Sequence, residues 1–429
     1  MRKSLVLFLL LCPAISRAQS GPVSPPQAAA VSTAPASGAS SPMTLAQVLD
    51  LAHRANPTLQ AAQQHLAAVH ALEVTAGLRQ NPNLVLSGQA LTTGYTDSNG
   101  PPVESAGVQR LFERGNKRAA RLENAKDTTS LTSFQLDDQR RQIDLAVRQA
   151  FSRMVYAQAA RSISQQNLDG YRHTVNLMRV RLDAGAIDRT DFDRIELQLA
   201  GFESDLDNAS LALQQSSIAL QTLLGYPSPI PDFAIDGNLE PPAVTATLDE
   251  LRSDALANRP DLKAAEAQVA VNTSAVRLAQ ANGTADPTAE VDYEHSGRES
   301  TVGGSVNIPI RVFDRNQGEK ARAGYELQSS QLALTAARNQ VLSDVDSSWA
   351  GYQTAQTQAA RYRSKYLAEA SHVRDNIEFS YRNGNATLLD YLSALADYRQ
   401  VNLTALNSDL QLLFSLEQLS YASHTEILP

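Results

Sequence analysis

Seven histidines, His53, His65, His70, His173, His295, His372 and His424, are the first residues to test for metal or acid–base chemistry. None falls in an H-x-x-H or H-E-x-x-H spacing, the pattern that puts two imidazoles on one helix face. His65 and His70 are five residues apart and face different sides of a helix, so they do not make a metal pair. The polar stretch FDRNQGEK (313–320) could be a ligand loop, but it reads better as a strand-to-helix connection with Asn316 or Asp314 capping the helix. No glycine-rich phosphate loop and no nucleophile motif stands out. The chain therefore reads as a protein without a catalytic site, metal or cofactor, and any driving energy must come from elsewhere. Its formal net charge of −8 argues against nucleic acid as a partner.

The elements that could position functional residues begin after the N-terminus. Arg2 and Lys3 precede an apolar run, Leu5 to Leu11, and Ser16-Arg17-Ala18 supplies small residues where a signal peptidase needs them. This predicts a secretory signal peptide over 1–18. The run is too short for a bilayer anchor. Cys12 would suggest a lipoprotein, but Leu11 stands where that cleavage wants a small residue. Removing Arg2, Lys3 and Arg17 takes the mature charge to −11 and leaves no cysteine, so no disulfide framework is expected. Residues 19–43 are rich in Pro, Ala and Ser and read as a disordered lead-in. No later apolar run approaches the length of a transmembrane helix, so a membrane crossing would have to be made by strands.

The rest of the chain is written twice. Thr44-Leu45, Pro57 and Leu59 match Thr247-Leu248, Pro260 and Leu262. Leu111 to Arg114 match Val312 to Arg315, and Val147, Phe151 and Met154 match Val345, Trp349 and Tyr352. Gly185, Asp191 and Phe192 match Gly384, Asp390 and Tyr391. The offset stays between 198 and 203, which makes the chain a tandem duplication with units at 44–225 and 247–423, a linker at 226–246 and a tail at 424–429.

Each unit opens with a short helix, and Pro57 and Pro260 then mark the first turn of the next one, where a missing N–H costs nothing. Alternating stretches predict strands over about 83–91, 103–111, 288–296 and 301–310, with Pro309 late in the last. Proline-free amphipathic stripes follow over about 116–183 and 317–382. Each is a rod of about 100 Å that needs coiled-coil partners to bury its stripe. Both end at a glycine, Gly185 in DAGAIDRTD and Gly384 in RNGNATLLD, and the chain turns back as a second helix. Four strands cannot close a sheet, so several chains must pool strands.

The NPTL and RPDL phrases, FERGNKRAA (112–120), VNIPIRVFDRNQGEKARA (306–323) and the paired glycine turns resemble the TolC-like outer membrane efflux family. The stretch PIRVFDRNQG (309–318) is most similar to the heavy-metal, CzcC-like branch. The resemblance implies a mainly α protein with a small β part. In it a homotrimer pools four strands per chain into a twelve-stranded outer membrane barrel on a periplasmic coiled-coil tunnel. It further implies a tripartite efflux system, with a periplasmic adaptor protein and an inner-membrane pump of the RND type, carrying metal cations or drugs. A type I secretion conduit for polypeptides and a non-channel periplasmic coiled-coil adaptor are the alternatives.

The resemblance places Gly185, Asp191, Tyr381, Gly384 and Asp390 at the tunnel's periplasmic aperture. Asp390 takes the position of an acidic residue that narrows the mouth, and Tyr381 that of a tyrosine tying the closed state. A second acidic position is Ser393 here. Three clustered carboxylates would attract cations, whereas an exposed helix-start Asp is favoured by the macrodipole alone. Few aromatic residues lie in the expected strands, a departure from the usual barrel girdle.

Overall fold

The computed structural model describes residues 42–89, 103–231, 233–241 and 244–427. The expected signal peptide, Cys12, most of the lead-in and the loop after the first strand lie outside these residues. Met43, assigned to the lead-in by composition, instead belongs to the folded body: its backbone pairs with Ala234 and Asp236 of the linker in a parallel bridge centred on Ile235.

Both units start the same way. Helices α1 (Leu45–Ala55) and α5 (Leu248–Asn258) each carry a full capping box, Thr44 with Gln47 and Thr247 with Glu250. Two backbone N–H groups at each helix start are thereby satisfied. Helices α2 (Pro57–Gly77) and α6 (Pro260–Asn282) follow after one residue, with the proline in the first turn.

The residue before each proline makes the joint. Asn56 Oδ1 accepts from the N–H groups of Thr58 and Leu59 at 2.9 and 3.1 Å, while its amide donates to Leu223 O at 2.8 Å. Leu223 is the last residue of α4 (Arg189–Leu223). At the equivalent place Arg259 donates to Ala422 O at 3.2 Å, near the end of α9 (Leu388–Ser423), and grips Asp261 and Asp344. In both units the end of the returning helix abuts the start of the proline helix, and carbonyls that a helix end leaves orphaned gain a donor.

Strands β1 (Asn83–Gln89), β2 (Val103–Leu111), β3 (Thr288–Ser296) and β4 (Glu299–Asn307) form one antiparallel sheet in that order. The central pairing joins the two units, with Val108 opposite Val291. The last strand lies two to three residues earlier than the sequence pattern suggests, so Pro309 falls outside the ladder rather than late in it. A proline there removes no ladder hydrogen bond.

Helix α3 (Lys117–Asp183) runs for 67 residues without a break. Its counterpart is interrupted: α7 (Gln317–Arg361) passes through a π turn at Tyr362–Tyr366 into α8 (Leu367–Arg382). The stripes that the sequence marked are the core. Val147, Phe151 and Met154 pack on Val48 and Ala52 of α1, and Val345 and Tyr352 pack on Leu251 and Ala255 of α5. Asn116 and Asn316 both start long helices in left-handed backbone. Asn316 does not cap its own helix, contrary to one expectation above; its amide reaches back to Ala279 O at 2.7 Å on α6, and Asp314 accepts from the Asn316 N–H.

Candidate functional site: the two faces of the sheet and the distal turns

Strand register sorts the sheet into two unlike faces, because successive side chains alternate. On one face Leu84, Val108, Val291 and Gly304 form a row, and Leu86, Ala106, Tyr293 and Val302 form the next. Leu84, Leu86, Val291 and Val302 are each more than 60% exposed. A four-strand apolar surface left open to the surroundings cannot rest in water; it needs lipid or another protein. The opposite face carries Glu290, Asp292, Glu294 and Glu299, with Ser87, Ser105, Thr301 and Ser305 between them and no Lys or Arg among its described residues. Asp292 lies against Gly303, where a Cβ would come within 2.9 Å of its carboxylate. The acidic alternation E-V-D-Y-E at 290–294 was readable in the sequence; the absence of any basic partner across four strands needed the register.

The aromatic residues thought scarce lie just beyond the strands. Phe112, which extends the ladder through its N–H to Pro287 O at 2.9 Å, and its repeat mate Phe313 are 47% and 91% exposed at the helical end of the sheet. Such rings suit a water–lipid boundary.

At the far end of the long helices, the turns at Gly185 (φ 71°) and Gly384 (φ 76°) both use left-handed backbone that a Cβ would strain. Neither glycine has another atom close to where a Cβ would sit. After each turn the next helix restarts on an equivalent cap: Asp188 accepts from Asp191 N at 2.8 Å, and Thr387 accepts from Asp390 N at 3.2 Å. Asp390 returns the interaction by accepting from the Thr387 hydroxyl at 2.7 Å and backbone N–H at 3.0 Å. Those bonds hold its exposed carboxyl below the usual carboxylate range. Asp390 therefore both caps α9 and presents a fixed negative charge, whereas Asp191 faces Arg194 at 3.9 Å.

Tyr381 binds the two hairpins together. Its ring stacks on Tyr391 with centroids 5.2 Å apart and planes 6° from parallel, and its hydroxyl points at Met178 Sδ of α3. Tyr391 meets Thr174 at 3.3 Å, and Arg181 donates to Arg382 O at 3.1 Å. Burial pushes both phenols above the ordinary tyrosine range, so they stay neutral. Beneath them α3 and α4 enclose Tyr171, Met178, Phe192, Ile195 and Phe202, with Tyr171 stacked on Phe202 at 4.4 Å. Helix α8 by contrast buries no residue within the chain and leans on this core through Tyr381.

Among the described residues no group of three or more His, Cys, Asp or Glu is placed to hold a metal, and no helix is long and apolar enough to cross a membrane. Sequence reasoning missed the helix-end role of Asn56 and Arg259, although each sits directly before a marked proline. It also missed Glu417, a lone carboxylate in the apolar run LLFSLEQL (412–419).

Comparison with known proteins agrees with this architecture. The model of the outer membrane efflux protein family matches residues 48–226 and 251–423, one segment per repeat. The cobalt-zinc-cadmium resistance protein CzcC of Cupriavidus metallidurans is 26% identical over 361 residues, spanning 83% of this chain and 84% of CzcC. Among solved structures, CusC aligns with a TM-score of 0.75 at 18% identity over 88% of this chain and 91% of its own. The open state of the Neisseria gonorrhoeae MtrE outer membrane channel aligns at 0.72, with 20% identity over 88% of each chain.

Proposed function

The chain belongs to the outer membrane efflux protein family, and from that premise we propose that it is the outer membrane conduit of a tripartite pump whose cargo is cationic, with divalent metal ions foremost. That it is an outer membrane efflux component follows from the family itself. The finer reading rests on one observation, the sheet with an open apolar face and an opposite face whose charged residues, among those described, are all acidic. Three chains would close four strands each into a twelve-stranded barrel with the apolar face toward lipid. The lumen would then carry twelve carboxylates from Glu290, Asp292, Glu294 and Glu299 and no fixed positive charge from the described strands. A narrow, low-dielectric wall of one sign raises the local concentration of the opposite ion.

The distal turns would meet in threefold symmetry at the periplasmic end, where Asp390 adds a further ring of charge. An adaptor protein would dock there and connect the conduit to an inner-membrane pump of the RND type. The mature form would follow export by the signal peptide. The name of the CzcC relative, with its resistance to cobalt, zinc and cadmium, fits a cationic cargo.

Reversal potentials in planar bilayers under a salt gradient test the reading. A cation preference is expected, reduced when Glu290, Asp292 and Glu294 are changed together to Gln, Asn and Gln. An anion preference, or no change in the triple variant, refutes it. Gene deletion should sensitise cells to divalent metals more than to amphiphilic drugs.

A further inference from the structure

Among the described residues Glu417 is the one buried carboxylate, and it lies at the seam between the two repeats. It sits on α9 with 2% of its surface exposed. One oxygen accepts from the Ser152 hydroxyl of α3 at 2.6 Å, across 265 residues of sequence. The other, Oε2, is enclosed and has no hydrogen-bond partner. One turn further along α9, Tyr421 is tied to the same helix: Arg141 of α3 donates to its carbonyl at 2.9 Å and lies 4.1 Å over its ring. The Ser152–Glu417 contact thus belongs to the clamp by which the first repeat holds the second.

The surroundings decide how the carboxylate is charged. Toward α7, α9 presents Leu412, Leu413 and Leu416 to Val341 and Val345, an apolar contact. The acidic residues of that stretch of α7, Asp344 and Asp346, are held by Arg259 and Arg252. On the other side is a cavity of about 500 Å³. There α3 contributes Asp137, Arg140, Arg141, Asp144 and Arg148, α6 contributes Lys263, and the end of the chain contributes His424 and Glu426. Of these Arg148 acts on Glu417 and favours its charged form, as does Ser152, but both effects are smaller than the cost of burial. Charge on a buried oxygen without a donor is far more costly than a neutral hydroxyl in the same place.

We propose that Glu417 is a proton-binding site that makes the α3–α9 seam responsive to pH, tight when the carboxyl is protonated and loosened when it is ionised. Burial raises its titration to about 7, within the range an outer-membrane protein meets. The sign follows from linkage. The native state holds this proton more tightly than the unfolded chain does, so the clamp is at full strength below the ordinary glutamate range. It weakens as pH rises through about 7, and is level above.

The test uses the mature, assembled protein in detergent, titrated from about pH 5 to about pH 9, on either side of that value. Infrared difference spectra should show the C=O stretch of a protonated carboxyl disappearing near neutrality in the wild type and missing from Glu417→Gln. The single tryptophan, Trp349, packs against the same apolar cluster as Leu416 and Leu419, and reports the loosening by fluorescence. Its signal should change with the infrared band in the wild type and stay flat in Glu417→Gln. Ser152→Ala removes the hydrogen bond that favours the charged form, so the midpoint should move upward by about one pH unit. A band that persists in Glu417→Gln, a tryptophan signal independent of pH in the wild type, or a downward or absent shift in Ser152→Ala overturns the proposal.

Discussion

Two adjacent residues on β1 offer a direct test of which sheet face meets lipid. Leu86 belongs to the row with Ala106, Tyr293 and Val302, and Ser87 belongs to the row with Ser105, Glu294 and Thr301. They are one peptide apart at the same depth, so burial along the membrane normal is matched and only the face differs. Leu86→Lys places a charge in hydrocarbon, which costs about 2–4 kcal/mol near the bilayer midplane. In a trimer the substitution occurs three times, roughly 6–12 kcal/mol in all, comparable with a whole domain's stability.

Ser87→Lys instead points to the acidic face. It loses one exposed hydroxyl contact with Ser105, at 2.7 Å, worth no more than about 1 kcal/mol. It gains carboxylates as neighbours. The assay is the amount of heat-modifiable oligomer recovered from outer membranes, followed by chemical unfolding of the protein refolded into vesicles. Leu86→Lys should abolish or severely reduce assembly, while Ser87→Lys should assemble nearly as wild type and lower cation selectivity. Equal damage from both, or greater damage from Ser87→Lys, would refute the assignment of faces.

Three further outcomes follow from the joints and turns. Gly384→Ala should cost about 1–2 kcal/mol, the price of left-handed backbone for a residue with a Cβ. Gly225→Ala should cost more, because its Cβ would also lie 2.4 Å from Ala55 O and push α1 off α4; guanidinium unfolding midpoints compare the two. Arg259→Ala leaves the partly buried Asp344 without its cation, and Asp261 with Arg141 alone, and should destabilise by about 2–3 kcal/mol, against about 1 kcal/mol for Asn56→Ala; reversal of that order by thermal melting would refute the proposed joints. Asp390→Ala should raise single-channel conductance or lower cation selectivity, and Asp390→Asn should do the same while retaining an acceptor for Thr387; unchanged conductance and selectivity in both would exclude an aperture at this residue.

Much of the fold was legible because duplication makes a sequence check itself. The offset between Pro57 and Pro260 persists through Phe112 and Phe313 to Gly185 and Gly384, so helices, strands and turns identified in one copy predict those in the other. The departures occur where the copies differ. The π turn at Tyr362–Tyr366 interrupts what reads as one proline-free stripe, and nothing in local propensity separates a π turn from an α-helix there. The last strand shifted because Ile308 and Ile310 extend its apolar alternation past the point where the ladder ends at Asn307.

The sequence by itself determined the chain's two-fold plan, its long helices with glycine turns, and the apolar stripes of its core. These depend on period, propensity and composition, all of which are local. Tertiary structure alone decided three things. It put Arg110 and His295, the basic residues of the described strands, off the face that carries Glu290, Asp292 and Glu294, since which residues share a face depends on strand register. It set Asn56 and Arg259 against the ends of α4 and α9, since an orphan carbonyl takes whichever donor the fold brings near. And it closed α3 over Glu417, since burial is a property of the neighbours and not of the residue.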